Sequence, residues 1–266
     1  MASSVALSLT LLLTLLLALS AHTAYAGTSI ANSAASDGMA KPSFTLPTLL
    51  KAQYIGVGKY GKVPLSGTGT LLWKTTAVGT GFQYEASLEI GALFYSSKVQ
   101  SQGSVNAQGI HPLRTEEKNT GKTATVITIN PAQQHVAVSG RSGGITNMPF
   151  DASGQDLLTV IAQLGTALQH QPKWRVAGEA KTFSVYRPSG LKQWRFQSQG
   201  MHTVTVGGVA VPTVHVVQVP VDASAELDEA HHFWLDPARH GFPVKLKKIK
   251  NASEFVELTL KDWQEQ

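Results

Sequence analysis

Gly140-Arg141-Ser142-Gly143-Gly144 satisfies the G-x-S-x-G pattern in which serine hydrolases carry their nucleophile. That chemistry needs a strand before the serine and a helix directly after it, so that the hydroxyl stands on a tight elbow beside backbone N–H groups. Here the nearest helical pattern begins about ten residues later, so the stretch reads as a glycine-rich loop. His231, His232, Asp236 and His240, with Asp228 and Glu229 just upstream, are the residue types of a metal site. On a helix, His232, Asp236 and His240 would share a face. Pro237 and the Phe233-Trp234 pair argue against a helix, and on a strand His231 and His232 point to opposite faces. These histidines are therefore expected in exposed loop rather than around an ion. His111, His135, His202 and His215 stand alone on expected strands, with no neighbouring carboxylate in sequence to orient an imidazole as a base. Glu85 and Glu89 share one strand face as a glycosidase pair would, but their alternation with apolar residues makes them a solvent-facing row. Asp156 suits the positive end of a helix dipole, a structural role. No catalytic, cofactor-binding or metal-ligating residue is assigned on these grounds, and no cofactor is expected.

The elements that carry these residues are mostly strands. From Phe82 to Ile90, Phe82, Tyr84, Ala86, Leu88 and Ile90 fall on one face and Gln83, Glu85, Ser87 and Glu89 on the other. Phe242, Val244 and Leu246 repeat the pattern, as do Val256, Leu258 and Leu260. Val209 and Val211 share a phase that shifts by one at Val214 and Val216, which predicts a bulge or edge near Pro212. Turn signals such as Gly58-Lys59-Tyr60-Gly61, Thr80-Gly81, Asn130-Pro131, Pro188-Ser189-Gly190 and Gly207-Gly208 divide the chain into about a dozen strands. One segment differs: between Asp151 and Gln169, the residues Leu157, Ile161, Leu164 and Leu168 form the stripe of an amphipathic helix, with Asp151 or Ser153 to cap it and Pro172 to stop it. About seven strands, one central helix and about seven more strands make a mainly β fold, a large curved antiparallel sheet or barrel-like meander with the helix plugging an open end or one face.

Ahead of this domain, Val5 to Leu19 is an apolar run short for a membrane span, and Ala24-Tyr25-Ala26 offers a small-x-small cleavage site. Residues 1–26 are expected to be a cleaved signal peptide, 27–47 a flexible leader, and 48–266 a single β-rich domain without a transmembrane segment. The absence of cysteine excludes disulfides, thiolate metal sites and a lipid-modified cysteine. A formal charge of +5 favours anionic surfaces such as lipid headgroups or envelope polymers. The basic residues are spread too widely for a nucleic-acid footprint, so no nucleic-acid partner is expected. The one dense group, Lys245, Lys247, Lys248 and Lys250, alternates with apolar residues and reads as a solvated strand face rather than an anion-binding stripe.

The order of these features resembles the domain-of-unknown-function 3108 family of exported proteins from Gram-negative bacteria, over roughly Leu49 to Leu260. Tyr54 and Gly56, Gly67-Thr68-Gly69 before Leu72-Trp73, Phe94-Tyr95-Ser96 leading to Ser101-Gln102-Gly103, and Gly109-Ile110-His111-Pro112-Leu113-Arg114 carry its first half. Gln155-Asp156-Leu157-Leu158 with Ile161-Ala162-Gln163-Leu164, Phe233-Trp234-Leu235 and Pro243-Val244-Lys245 carry the rest. The resemblance implies a mainly antiparallel β domain in the periplasm and no assigned activity. The expectation is an exported, non-catalytic protein that binds an apolar or amphiphilic ligand, such as a lipid, or another envelope component. A hydrolase of envelope polymers or lipids and a structural or assembly protein are the alternatives.

Overall fold

The computed structural model describes residues 45–266 apart from 80, 93–94, 141–143, 223, 225–226 and 228. The signal peptide, most of the leader, Ser142 and Asp228 lie outside the described residues. Eight strands precede the helix: β1 (Leu49–Tyr60), β2 (Val63–Val78), β3 (Gly81–Ala92), β4 (Tyr95–Asn106), β5 (Gly109–Asn119), β6 (Thr125–Asn130), β7 (His135–Ser139) and β8 (Ile145–Met148). The helix α1 (Leu157–His170) leads through a short 3-10 turn at Pro172–Arg175. Six strands follow: β9 (Ala180–Arg187), β10 (Gly190–Val206), β11 (Val209–Val219), β12 (Ala230–Leu235), β13 (Pro243–Asn251) and β14 (Glu254–Glu265). All belong to one 14-stranded antiparallel sheet in the order β8-β7-β6-β5-β4-β3-β2-β1-β14-β13-β12-β11-β10-β9. Two meanders are thus joined where β1 pairs with β14. Among the described residues no helix is long and apolar enough to cross a membrane.

A sheet this wide curls, and its concave face must be covered. Period-two alternation decides which side chains face inward: Leu50, Ala52 and Tyr54 from β1, Leu71 and Trp73 from β2, Tyr84, Ala86 and Leu88 from β3, and Val244 and Leu246 from β13 are buried, while their neighbours are wetter. Trp73 stacks on Tyr84 with ring centroids 4.9 Å apart and meets Phe242 edge-on at 5.7 Å. The Tyr54 hydroxyl donates across the concavity to the Pro243 carbonyl at 2.8 Å. The predicted bulge near Pro212 lies on the neighbouring strand: β10 carries one extra residue between Ser198 and Met201, and Gly200 there takes φ +82°.

The helix starts later than its sequence pattern predicts, because Asp156 rather than Asp151 or Ser153 is the N-cap. Its 14 residues are buried on most sides, with Leu158, Val160, Ile161, Leu164 and Leu168 all in the same core cluster as the inward strand residues. Close seating at its far end is set by glycine: a side chain at Gly165 would meet the backbone carbonyls of His240 and Gly241 at under 3 Å. Asp156 itself is buried. Its carboxylate accepts from the Thr159 backbone N–H at 2.9 Å, from the Thr115 hydroxyl at 2.7 Å and from the Ser101 hydroxyl, which is itself bonded to Tyr84 at 2.7 Å. One side chain therefore caps α1 and fastens it to β4 and β5. Replacing it with alanine leaves two buried hydroxyls and an N–H without that acceptor. Asp156→Ala should lower unfolding free energy by about 3 kcal/mol, read from the midpoint of urea denaturation at unchanged m.

Candidate functional site

β8 and β9 are the two ends of the sheet and do not pair with each other. The segment after β8 bridges the gap. The Gln155 N–H donates to the Ser184 carbonyl at 2.8 Å, and the Tyr186 N–H to the Gln155 carbonyl at 2.8 Å, covering part of the β9 edge. The Tyr186 hydroxyl donates to the Asp151 carbonyl at 2.8 Å and accepts from the Asp151 N–H at 2.9 Å. Its ring packs with Ile127, Ile129, Val136 and Val138 from β6 and β7. The ends of the sheet thus meet along a seam made of side chains and one loop.

At one end of the seam a cleft of about 710 Å³ opens between β5 and its following turn on one wall and β9 to β13 on the other. Its lining includes Glu117, Arg187, Trp194, Gln218, His231 and Lys250. Arg187 donates to Glu117 across the seam at 2.7 Å, with side chains only 20 % and 15 % exposed, and its guanidinium lies 5.5 Å from the Trp194 ring centre. Burial pushes the Glu117 carboxyl above its ordinary value, while the Arg187 and Lys248 charges pull it back. Thr115 and Glu117 are two residues apart on β5, so the buried Asp156 network stands just behind this floor.

His231 completes the floor. Its ring centroid lies 4.9 Å from that of Trp194, tilted by 32°, and its Nδ1 lies 2.7 Å from Gln218 Oε1, which makes that nitrogen the N–H donor of a neutral ring. Burial, then the Lys248 and Arg187 charges, lower its pKa to about 3. The expected exposed loop position is corrected here: His231 lies on β12 at 6 % exposure, in the inward phase with Phe233 and Leu235. His232 points to the other face, where its Nδ1 lies 3.2 Å from His215 Nε2. Asp236 is buried, accepting from the Ala238 N–H and pairing with Arg239, and His240 pairs with Glu265 at 2.7 Å. The described residues that suggested a metal site are thus dispersed. The remaining histidines find partners across strands: His111 with Asn106 at 3.2 Å, His135 with Asn147 at 3.0 Å, and His202 edge-on to His215. Glu85 and Glu89 are exposed on β3 as their phase predicts. The lysine group divides between faces: Lys245 and Lys247 share Glu257, while Lys248 pairs with Glu229 and Lys250 with Glu254 on the cleft side.

Glu117, Arg187, Trp194 and Gln218 were not marked by any sequence motif. His231 had a usable signal, because its alternation with Phe233 and Leu235 places an imidazole among inward positions. A second cleft of about 390 Å³ opens near the β4–β5 turn, lined by His111, Phe150 and Asp151 among others.

The neutral state of His231 has a pH consequence. With a folded pKa of about 3 against 6.5 when free, the unfolded chain binds the extra proton between those values, so stability present above pH 6.5 is lost as pH falls toward 3. Glu117 acts in the opposite sense, since a raised folded pKa makes its contribution decline as pH rises above 4.5. The difference between the parent protein and His231→Gln isolates the histidine. Urea midpoints taken across this range should fall more shallowly with acid in the variant, by up to about 1.4 kcal/mol per pH unit; parallel profiles would contradict the buried neutral ring.

The fold has solved relatives in shape. A crystal structure described as a beta-barrel-like protein of domain of unknown function DUF1849 from Brucella abortus matches with a TM-score of 0.54 at 10% identity, over 83% of this chain and 98% of that one. A putative outer membrane lipoprotein-sorting protein domain from Vibrio parahaemolyticus aligns over 82% of this chain and 85% of that one at 12% identity, but its TM-score of 0.22 falls short of a common fold. No curated protein matches the chain. The family model described as "Protein of unknown function (DUF3108)" matches residues 57–260, a span that runs from β1 to β14 and includes the helix and both walls of the seam, and the chain belongs to that family.

Proposed function

We propose that this is an exported, non-catalytic protein of the cell envelope that holds the polar part of an amphiphilic ligand in the cleft at the seam. The observation that carries this reading is the cleft itself: about 710 Å³, within the usual size range of ligand sites, with an aromatic ring, an ion pair and a neutral imidazole converging on its floor. The concavity of a curved sheet is a common receptacle for an apolar ligand. α1 and its apolar neighbours occupy that space, and the seam cleft mixes charged, amide and aromatic groups, so an amphiphile suits it better than a wholly apolar molecule. Export rests on the apolar run and Ala24-Tyr25-Ala26 site of the N-terminus.

A hydrolytic reading draws on the same floor, since Glu117 with a raised pKa and unprotonated His231 are groups that do acid–base work elsewhere. It requires turnover of an envelope polymer or lipid that Glu117→Gln abolishes, whereas the binding reading requires none.

Two measurements test the proposal. Fractionation of cells expressing the full chain should place it in the periplasm with Gly27 at its N-terminus; a cytoplasmic protein retaining Met1 or Ala2 would refute export. Mass spectrometry of solvent extracts from the purified protein should find an amphiphile in near-stoichiometric amount, and Thr123→Trp, on an exposed turn lining the cleft, should reduce it severalfold. Extracts with no amphiphile from either protein would overturn the binding reading.

A further inference from the structure

The charges around the cleft do not cancel, and where the excess sits has a chemical meaning. Among the described residues that line the cleft, each carboxylate already has a cation: Glu117 has Arg187 at 2.7 Å and Glu229 has Lys248 at 2.7 Å, while Lys250 is taken by Glu254 at 2.8 Å. Among the described residues that line the cleft, Lys122 and Lys192 are the two cations with no such partner. They come from opposite walls. Lys122 lies in the turn between β5 and β6, near one end of the sheet, and Lys192 lies near the start of β10, beside the other end. The same lining includes small hydrogen-bonding groups, among them Asn119, Thr123 and Ser189.

Resting on the reading that the cleft holds an amphiphile, we propose that the bound head group is an oxyanion, a phosphate monoester or a free carboxylate, clipped between Lys122 and Lys192. Two ammonium groups left unneutralised on facing walls repel each other, and an anion between them converts that repulsion into two attractions. The three oxygens of a phosphate monoester, or the two of a carboxylate, still carry lone pairs for the hydroxyl and amide donors of the lining. The Arg187–Glu117 pair is spent on the seam and contributes field rather than a free donor. A head group that is neutral, such as a sugar, would use the hydroxyls but leave the lysine pair unsatisfied. A cationic head would be rejected by both.

The test uses the mature chain and isothermal titration calorimetry with defined probes below their micellar concentrations: dihexanoyl phosphatidic acid, octyl glucoside, glycerol 3-phosphate and inorganic phosphate. Phosphatidic acid should bind about tenfold or more tightly than octyl glucoside at about 0.1 M salt, and lose most of that margin at about 1 M, where the screening length drops from about 10 Å to about 3 Å. The double charge reversal Lys122→Glu with Lys192→Glu should abolish the preference. Both sites are exposed, so its circular dichroism and melting should stay those of the parent. Lys122→Arg with Lys192→Arg should keep the preference. Equal binding of phosphatidic acid and octyl glucoside, unchanged by the reversal, would overturn the oxyanion assignment and leave the amphiphile reading standing. Inorganic phosphate or glycerol 3-phosphate binding as tightly as phosphatidic acid would keep the lysine clip and overturn the amphiphile. Failure of every probe to bind would overturn both.

Discussion

A carboxylate at the centre of an apolar molecule is costly unless hydrogen bonds replace the water it loses, and the geometry around Asp156 supplies them from three directions. The Thr159 N–H comes from the helix it caps, the Thr115 hydroxyl from β5 and the Ser101 hydroxyl from β4. Because these donors belong to elements far apart in sequence, satisfying the charge fixes where α1 enters the concavity. The residue before it, Gln155, is held by backbone bonds to β9, so the same five or six residues that start the helix also bring the far edge of the sheet toward β5. The seam, and hence the cleft, exists at the width it does because the helix entrance is anchored from both sides.

The cleft gains its character from the change in residue type along the inner face of the sheet. Around α1 the inward positions are Trp73, Tyr84, Phe196, Phe233, Leu246 and their like. Continuing in the same phase toward the open end of their strands, they become Glu117, Gln218, His231, Lys248 and Lys250. Hydrophobic filling stops and an ion network begins, without any change in secondary structure. This is how one uninterrupted sheet presents both a core and a polar receptacle.

Most of the architecture was legible from alternation. The inward set of β3, the helix stripe, the opposed faces of His231 and His232 and the closing strands around Val244 and Leu258 follow from period and phase alone. About seven strands were expected on each side of the helix, and eight precede it and six follow it, the first half being lengthened by the short pieces β7 and β8 of five and four residues. The site was much less legible. Arg187 and Glu117 meet across the seam from strands 70 residues apart, and a polar inward residue at the end of a strand looks in sequence like the beginning of a loop. The cap is Asp156, whose carboxylate also accepts from the tertiary donors Thr115 and Ser101, whereas the Asp151 side chain accepts from Ser153 and its backbone carbonyl from Tyr186.

The junction of β1 with β14 has its own consequence for how the chain is assembled. Nearly every other ladder joins strands that are neighbours in sequence and can form as soon as each hairpin is made, but Leu50 pairs with Glu265 and Tyr60 with Glu254. Until β14 has been made, β1 and β13 both present raw backbone edges, in the middle of the finished sheet rather than at its margin. The step that joins the two meanders is therefore the one with the largest loop to close, and a chain cut short before Glu254 would carry two sticky strands instead of one seam.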